Sequence, residues 1–95
     1  MLKTEKPIAM KDGTTLPAGA EVLEFLRESP SRCKVQGKDK VYQVRVVNAF
    51  NRPSLDELQD AVSDGTCESV GGETVEPDGW DAEGTPSWLL VLGWI

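Results

Sequence analysis

The chain has 95 residues, of which 39% are hydrophobic and 27% are charged, and its formal net charge is −6. This length and composition exclude a disordered chain and indicate a single globular domain over residues 1–95 with one modest core. The sequence contains no histidine, which excludes a Cys–His nucleophile.

The first half of the sequence predicts short strands joined by tight turns. Apolar and polar residues alternate over residues 32–36, as they do in a half-buried strand. Asp12-Gly13 is typical of a two-residue hairpin turn, and Pro17 followed by Gly19 marks a second turn. The predicted strands cover residues 8–10, 21–27, 32–36 and 41–47, with Tyr42, Val44 and Val46 facing inward.

This arrangement resembles a small barrel of the Src-homology-3-like or KOW-like kind. The resemblance covers residues 7–50, with a short strand, the turn DGTTLPAG, the long strand EVLEFLR and a hairpin that ends at VRVVNAF. It implies a small antiparallel barrel. No aromatic groove of the kind that binds proline-rich peptides is visible, so the resemblance implies no binding site.

Residues 54–64 predict an amphipathic helix. Ser54 and Glu57 have the spacing of a capping box, and Gly65 is a typical C-terminal stop. The apolar face that we expect to pack on the core contains Leu55, Leu58 and Val62.

Two further elements are predicted after this helix. Gly71-Gly72 predicts a short hairpin over residues 67–76, which an acidic loop follows. The hydroxyl of Thr85 and the ring of Pro86 predict the start of an apolar C-terminal element over residues 86–95, either a helix or a final strand. The expected fold class is α+β, mainly β: a small antiparallel SH3-like barrel, an amphipathic helix, a short hairpin and an apolar C-terminal helix.

The sequence offers no recognisable catalytic or metal-binding motif. Phosphate-binding loops, serine-hydrolase elbows and zinc-protease motifs do not occur, and the acidic loop lacks the spacing of a calcium site. Cys33 and Cys67 are not spaced as zinc ligands, so we expect two small buried thiols. The prediction is a protein that is not an enzyme and that needs no cofactor or metal.

Charge is divided unevenly along the chain. Residues 1–50 contain nine Lys/Arg and six Asp/Glu, a balance of +3, whereas residues 51–95 contain one and ten, a balance of −9. An acidic surface favours a basic partner, and an exposed tryptophan is a typical interface anchor. We therefore predict a protein-binding module whose partner has a basic or nucleic-acid-binding surface. The residues predicted to contact this partner are Asp56, Glu57, Asp60, Asp64, Asp78, Trp80, Asp81, Glu83, Leu90 and Trp94.

Residues 75–95, VEPDGWDAEGTPSWLLVLGWI, are similar to the ends of small uncharacterised proteins that phages and other mobile elements carry. That resemblance implies no activity and no functional residue. It implies a protein that acts by binding host machinery, such as an anti-CRISPR-like or other counter-defence inhibitor.

Two alternatives remain open from the sequence. One is a nucleic-acid-binding barrel with a basic patch formed by Arg32, Lys34, Lys38, Lys40 and Arg45. The other is a small structural or assembly protein that oligomerises, for example as a homodimer, through its apolar tail. We expect a cytoplasmic protein without a membrane partner, because the longest apolar stretch is too short to span a bilayer.

Overall fold

A computed structural model describes residues 2–95, which form seven strands and three helices. In chain order these are β1 (Ile8–Ala9), β2 (Thr15–Leu16), β3 (Val22–Phe25), β4 (Arg32–Gln36), β5 (Val41–Arg45), α1 (Val46–Ala49), α2 (Leu55–Asp64), β6 (Cys67–Glu68), β7 (Thr74–Val75) and α3 (Trp88–Val91).

Within residues 2–95 the strands form three antiparallel sheets, β1–β2, β3–β4–β5 and β6–β7. The fold is therefore α+β and mainly β, as the sequence predicts. A buried hydrophobic core connects the sheets with the helices, and in it the rings of Phe25 and Phe50 lie 6.2 Å apart. None of the helices in this part of the chain is long and apolar enough to cross a membrane.

Strand β4 is the middle strand of the central sheet, and its alternation decides which face is buried. Cys33 pairs with Val44 on one side and with Phe25 on the other, and all three side chains are buried. The side chains on either side of Cys33 in the strand face outward, because successive residues of a strand point to opposite faces of the sheet. A register shift in β3 leaves Leu23 exposed.

The β1–β2 hairpin closes with a three-residue loop rather than the predicted two-residue turn. The N–H of Met10 donates to the carbonyl of Thr14 at 2.7 Å, so residues 11–13 lie between the last paired positions. Gly13 has φ +89°, a left-handed conformation that three-residue hairpin loops place at glycine.

The strand predicted over residues 41–47 ends at Arg45, because the chain turns there into α1. The N–H of Val46 donates to the carbonyl of Ser31 at 2.8 Å, and the N–H of Phe50 donates to the carbonyl of Val46 at 2.9 Å. The side chains of Val46 and Phe50 are both buried. This single helical turn thus keeps the side chains of both residues in the core while the chain leaves the sheet.

Helix α2 is capped by Ser54 and Gly65 as predicted, but among residues 2–95 the side chain of Glu57 does not return the bond that would complete the capping box. The hydroxyl oxygen of Ser54 accepts a hydrogen bond from the N–H of Glu57 at 3.2 Å. Gly65 ends the helix in the left-handed conformation, with φ 73°.

The predicted apolar face of α2 is correct for only one residue. Leu58 is buried, but Leu55 and Val62 are 60% and 53% exposed. The helix packs against β6 on the flank of Leu58 and the half-buried Ala61, and this narrow contact leaves the other two side chains outside the core.

The C-terminal helix begins after Ser87 rather than at the predicted Thr85-Pro86. The hydroxyl oxygen of Ser87 accepts from the N–H of Leu90 at 3.1 Å, and its own N–H donates to the carbonyl of Gly79 at 3.0 Å. The hydroxyl of Thr85 instead donates to the carboxylate of Asp81. Pro86 is buried ahead of the helix.

Helix α3 ends after Val91, because a glycine reverses the chain. Gly93 has φ 73° and its N–H donates to the carbonyl of Leu90 at 3.2 Å, while the N–H of Trp94 donates to Leu89 at 3.0 Å. This pair of bonds is a Schellman motif. The helical part of the predicted element 86–95 is therefore one turn long.

Candidate functional site

A groove of about 540 Å³ lies between α2 and the β6–β7 hairpin. Glu57, Asp60 and Asp64 line it from α2, and Glu68 lines it from β6. All four side chains are exposed. We call this feature the acidic groove.

The three helical carboxylates lie together because of their spacing. Glu57, Asp60 and Asp64 are at positions i, i+3 and i+7, which fall on one flank of an α-helix. Leu58 and Ala61 pack the neighbouring flank of α2 against the core. The three carboxylates therefore lie beside this contact rather than within it.

The acidic groove is not neutralised by ion pairs. In residues 2–95 the salt bridges are Lys34–Glu24 and Lys40–Asp12, both at the central sheet and the β1–β2 loop. Arg52 is the basic residue among those that line the groove. The apolar lining of the groove includes Leu58, Ala61, Cys67 and Trp88.

Asp56 was predicted with this group but does not line the groove. It follows Leu55 in the first turn of α2, about 100° around the helix from Glu57, and it is exposed. Its carboxylate instead lies near the positive end of the helix dipole.

The loop after β7 is organised from within by Asp81. Its Oδ2 accepts from the hydroxyls of Ser69, at 2.6 Å, and Thr85, while its Oδ1 accepts from the N–H groups of Glu83 and Thr85 at 2.9 Å each. Partial burial opposes ionisation, but these hydrogen bonds outweigh it and hold the pKa of Asp81 below its ordinary value of 3.8. The side chain predicted to contact a partner is therefore engaged inside the fold.

The other predicted residues of this loop differ in exposure. Asp78 and Glu83 are exposed, and neither takes part in a salt bridge among residues 2–95. Trp80 is half-buried, and the guanidinium of Arg27 lies 4.3 Å from the centre of its ring. A cation over an indole face is attracted to the ring electrons, so Arg27 covers one face of this tryptophan.

The two predicted tail residues also differ. Leu90 is partly buried within α3, whereas Trp94 is 40% exposed and is followed by Ile95 at 57%. The apolar tail therefore belongs mostly to the core up to Val91, and its exposed part lies beyond Gly93.

The predicted basic patch is divided by local ion pairing. Arg32 and Arg45 are cross-strand partners and are exposed. Lys34 pairs with Glu24 at 3.1 Å, and Lys40 pairs with Asp12 at 3.3 Å. The remaining predicted member, in the exposed β4–β5 turn, is Lys38.

Tyr42, predicted inward, is only partly buried. Its hydroxyl donates to Asp12 at 3.0 Å, and the ammonium of Lys40 lies 4.8 Å from its ring centre. The ring thus packs along the β1–β2 loop with its hydroxyl toward solvent. Tyrosine suits this half-buried position because its ring is apolar and its end is polar.

A second group of cations was missed by the sequence reasoning. Lys6, Arg45 and Arg52 line one cavity of about 410 Å³, which also has Ser31 on its wall. Lys6 is brought there because its N–H donates to the carbonyl of Ala49 at 3.1 Å. No local pattern connects residues so far apart in sequence, so this grouping appears only with the tertiary fold.

The two cysteines are free and buried, as predicted. Burial raises the pKa of Cys33 to about 12, so its thiol stays protonated at neutral pH and is a poor nucleophile. Within residues 2–95, no group of three or more Cys, Asp and Glu side chains is arranged to hold a metal ion.

Comparison with known proteins gave no match to a protein-family model, to a curated protein or to a solved structure. The chain's own geometry and charge therefore carry the functional proposal.

Proposed function

We propose that this protein is a non-catalytic binding module whose acidic groove holds an arginine- or lysine-rich segment of a partner protein. The observation that supports this is the row of four exposed carboxylates, Glu57, Asp60, Asp64 and Glu68, along one groove. They form no salt bridge to other residues of 2–95. A cationic segment supplies the charge that the groove lacks.

The groove also suits the stems of basic side chains. Individual exposed ion pairs contribute only about 0.2–1 kcal/mol each. Charge alone therefore raises the association rate and the selectivity of binding more than the affinity. The half-buried Ala61 and the small exposed edges of Leu58 and Trp88 can contact the methylene groups of arginine or lysine. Arginine fits best, because its planar guanidinium can donate hydrogen bonds to two carboxylate oxygens at once.

Candidate partners with such a segment include proteins that bind nucleic acid, since their binding grooves present arginine and lysine to phosphates. Occupying that groove would inhibit the partner. The counter-defence role implied by the resemblance of residues 75–95 is one case of this mechanism, and it stays a prediction. The SH3-like barrel over residues 7–50 likewise stays a prediction.

Two other functions are proposed as alternatives. The adjacent, exposed Arg32 and Arg45 favour a smaller nucleic-acid surface than the five-residue patch, and low-salt binding to generic DNA would test it. The exposure of Trp94 favours association through the tail. Sedimentation tests this second alternative, which fails if wild type and Trp94→Ala are both monomers.

The groove proposal is tested with a fluorescent peptide of alternating arginine and glycine, measured by anisotropy at about 0.15 M salt. The variant Asp60→Lys/Asp64→Lys reverses two groove charges. The matched control Asp78→Lys/Glu83→Lys changes the net charge equally, but in the loop. We expect the groove variant to weaken binding about tenfold or more and the control to weaken it far less. Equal losses in both variants would show that net charge, not the groove, attracts the peptide.

A further inference from the structure

The cavity lined by Lys6, Arg45 and Arg52 has no carboxylate among its lining residues. Besides the three cations, its wall contains Ser31 and the apolar side chains of Val47, Val91 and Leu92. It thus combines several hydrogen-bond donors with an apolar wall within about 410 Å³, a size in the range of small-ligand sites.

The cations come from three different parts of the chain. Lys6 precedes β1, Arg45 ends β5, and Arg52 lies between α1 and α2. The ammonium of Lys6 donates to the carbonyl of Val47 at 2.8 Å, which fixes the side chain and leaves its other protons for a ligand. Arg45 and Arg52 are exposed and take no part in the salt bridges of residues 2–95.

The negative charges nearest to these cations are Glu5 and the carboxylates of the acidic groove, which Arg52 also lines, and none of them lines the cavity itself. Glu5 is adjacent to Lys6 in sequence, but its Oε1 already accepts from the N–H of Asn51 at 2.8 Å and it does not line the cavity. Arg32 lies opposite Arg45 across the β4–β5 pair and adds a further positive charge beside the cavity. Like charges held close together repel each other, and a bound anion relieves that repulsion.

We propose that this cavity binds the phosphate group of a small ligand. Two guanidinium groups can each donate two parallel hydrogen bonds to phosphate oxygens, and the ammonium of Lys6 adds a third charged donor. The apolar wall formed by Val47, Val91 and Leu92 leaves room for an organic part of the ligand. This site is separate from the acidic groove, although Arg52 lines both.

The test is a nuclear magnetic resonance titration of the full chain with inorganic phosphate against chloride at constant ionic strength. We expect saturable shifts at Ser31, at Val47 and at the Arg45 side chain. Arg45→Gln should weaken binding about tenfold, because a charged donor pair is lost. Lys34→Gln removes a cation that is already paired with Glu24, so it serves as the control and should bind as wild type does.

Two further arms identify the source of the phosphate. Adenosine monophosphate should bind more tightly than inorganic phosphate if the apolar wall contacts the organic part. A single-stranded oligonucleotide that binds, while both small phosphates leave these resonances unchanged, would overturn the proposal in favour of a diffuse nucleic-acid surface. Equal weakening in Arg45→Gln and Lys34→Gln would also overturn it. Arg45→Lys, which keeps the charge but not the fork, should retain part of the affinity and guards against a folding defect in the glutamine variant.

Discussion

The hydroxyl of Ser69 donates to Asp81 Oδ2 at 2.6 Å and so connects the β6–β7 hairpin to the acidic loop that follows it. The same oxygen of Asp81 accepts from the hydroxyl of Thr85, whose backbone N–H donates to the other oxygen. Gly71 lies against this cluster, and a side-chain carbon there would come within 3.2 Å of Asp81 and 3.0 Å of Thr85. An acidic loop therefore has a carboxylate at its structural centre.

Asp81→Asn should destabilise the protein by about 1–3 kcal/mol, since charged hydrogen bonds are weakened and one donor group is left badly placed. Urea unfolding gives this value. Asp78→Asn, at an exposed position of the same loop, should stay within about 0.5 kcal/mol of wild type. If the two variants lose equal stability, Asp81 has no special structural role.

Stability should fall as the pH drops below about 4. The pKa of Asp81 is lowered in the folded state, so its contribution is present above the ordinary value of 3.8 and is lost as the pH falls through the folded pKa. Unfolding in urea between pH 5 and pH 3 should therefore show a shallower acid loss in Asp81→Asn than in wild type. Parallel curves for the two proteins would contradict the assignment.

Asp12 should titrate well below a normal aspartate. Hydrogen bonds from the backbone and side chain of Thr14 come first among the causes that lower its pKa from 3.8 to about 2, with further help from Tyr42 and Lys40. A carboxyl-carbon titration by nuclear magnetic resonance measures this value directly. Thr14→Ala keeps the backbone N–H, the first of these causes, and removes only the hydroxyl, so it should raise the pKa of Asp12 by only part of the shift. A pKa of Asp12 near 3.8 in the wild type would contradict the stated cause.

Gly93→Ala should cost about 1 kcal/mol, because left-handed backbone is unfavourable for residues with a side-chain carbon. Nothing lies within 4 Å of the added carbon, so the cost is conformational rather than steric. Gly93→Asn should cost less, since asparagine tolerates this conformation better. Thermal and urea unfolding of both variants check the order, which would reverse if size mattered more than conformation.

The two tryptophans of the tail should contribute differently to the free energy of unfolding. Trp88 is 4% exposed, and Trp88→Ala should lose about 3–5 kcal/mol by removing a buried ring. Trp94→Ala should lose less, about 1 kcal/mol, because 40% of that residue is exposed. Equal losses in urea unfolding would show that Trp94 is part of the core.

Local signals were enough to predict several features. Ser54 and Gly65 mark the two ends of α2, because capping depends on the nearest few residues. The β6–β7 hairpin turns at the glycines 71–72, because a tight turn also depends on adjacent residues. The alternation in residues 32–36 predicts the observed bounds of β4, because its inward side chains meet apolar partners on both neighbouring strands.

Features that depend on distant partners could not be predicted. Val46 turns into α1 because a carbonyl at Ser31 accepts its N–H, and Thr85 leaves the helix start because Asp81 binds its hydroxyl. The acidic groove needed knowledge of which flank of α2 packs on β6. The Lys6–Arg45–Arg52 cavity needed the pairing of the N-terminal segment with Ala49.

The most direct measurement of the central claim is a map of backbone amide shifts as the arginine–glycine peptide is added to the isotopically labelled chain. The acidic groove predicts saturable shifts concentrated at Glu57, Asp60, Asp64 and Glu68, and their loss in Asp60→Lys/Asp64→Lys. Shifts confined to the loop at residues 76–83, or no saturable shifts at all, would contradict a partner-binding role for the groove.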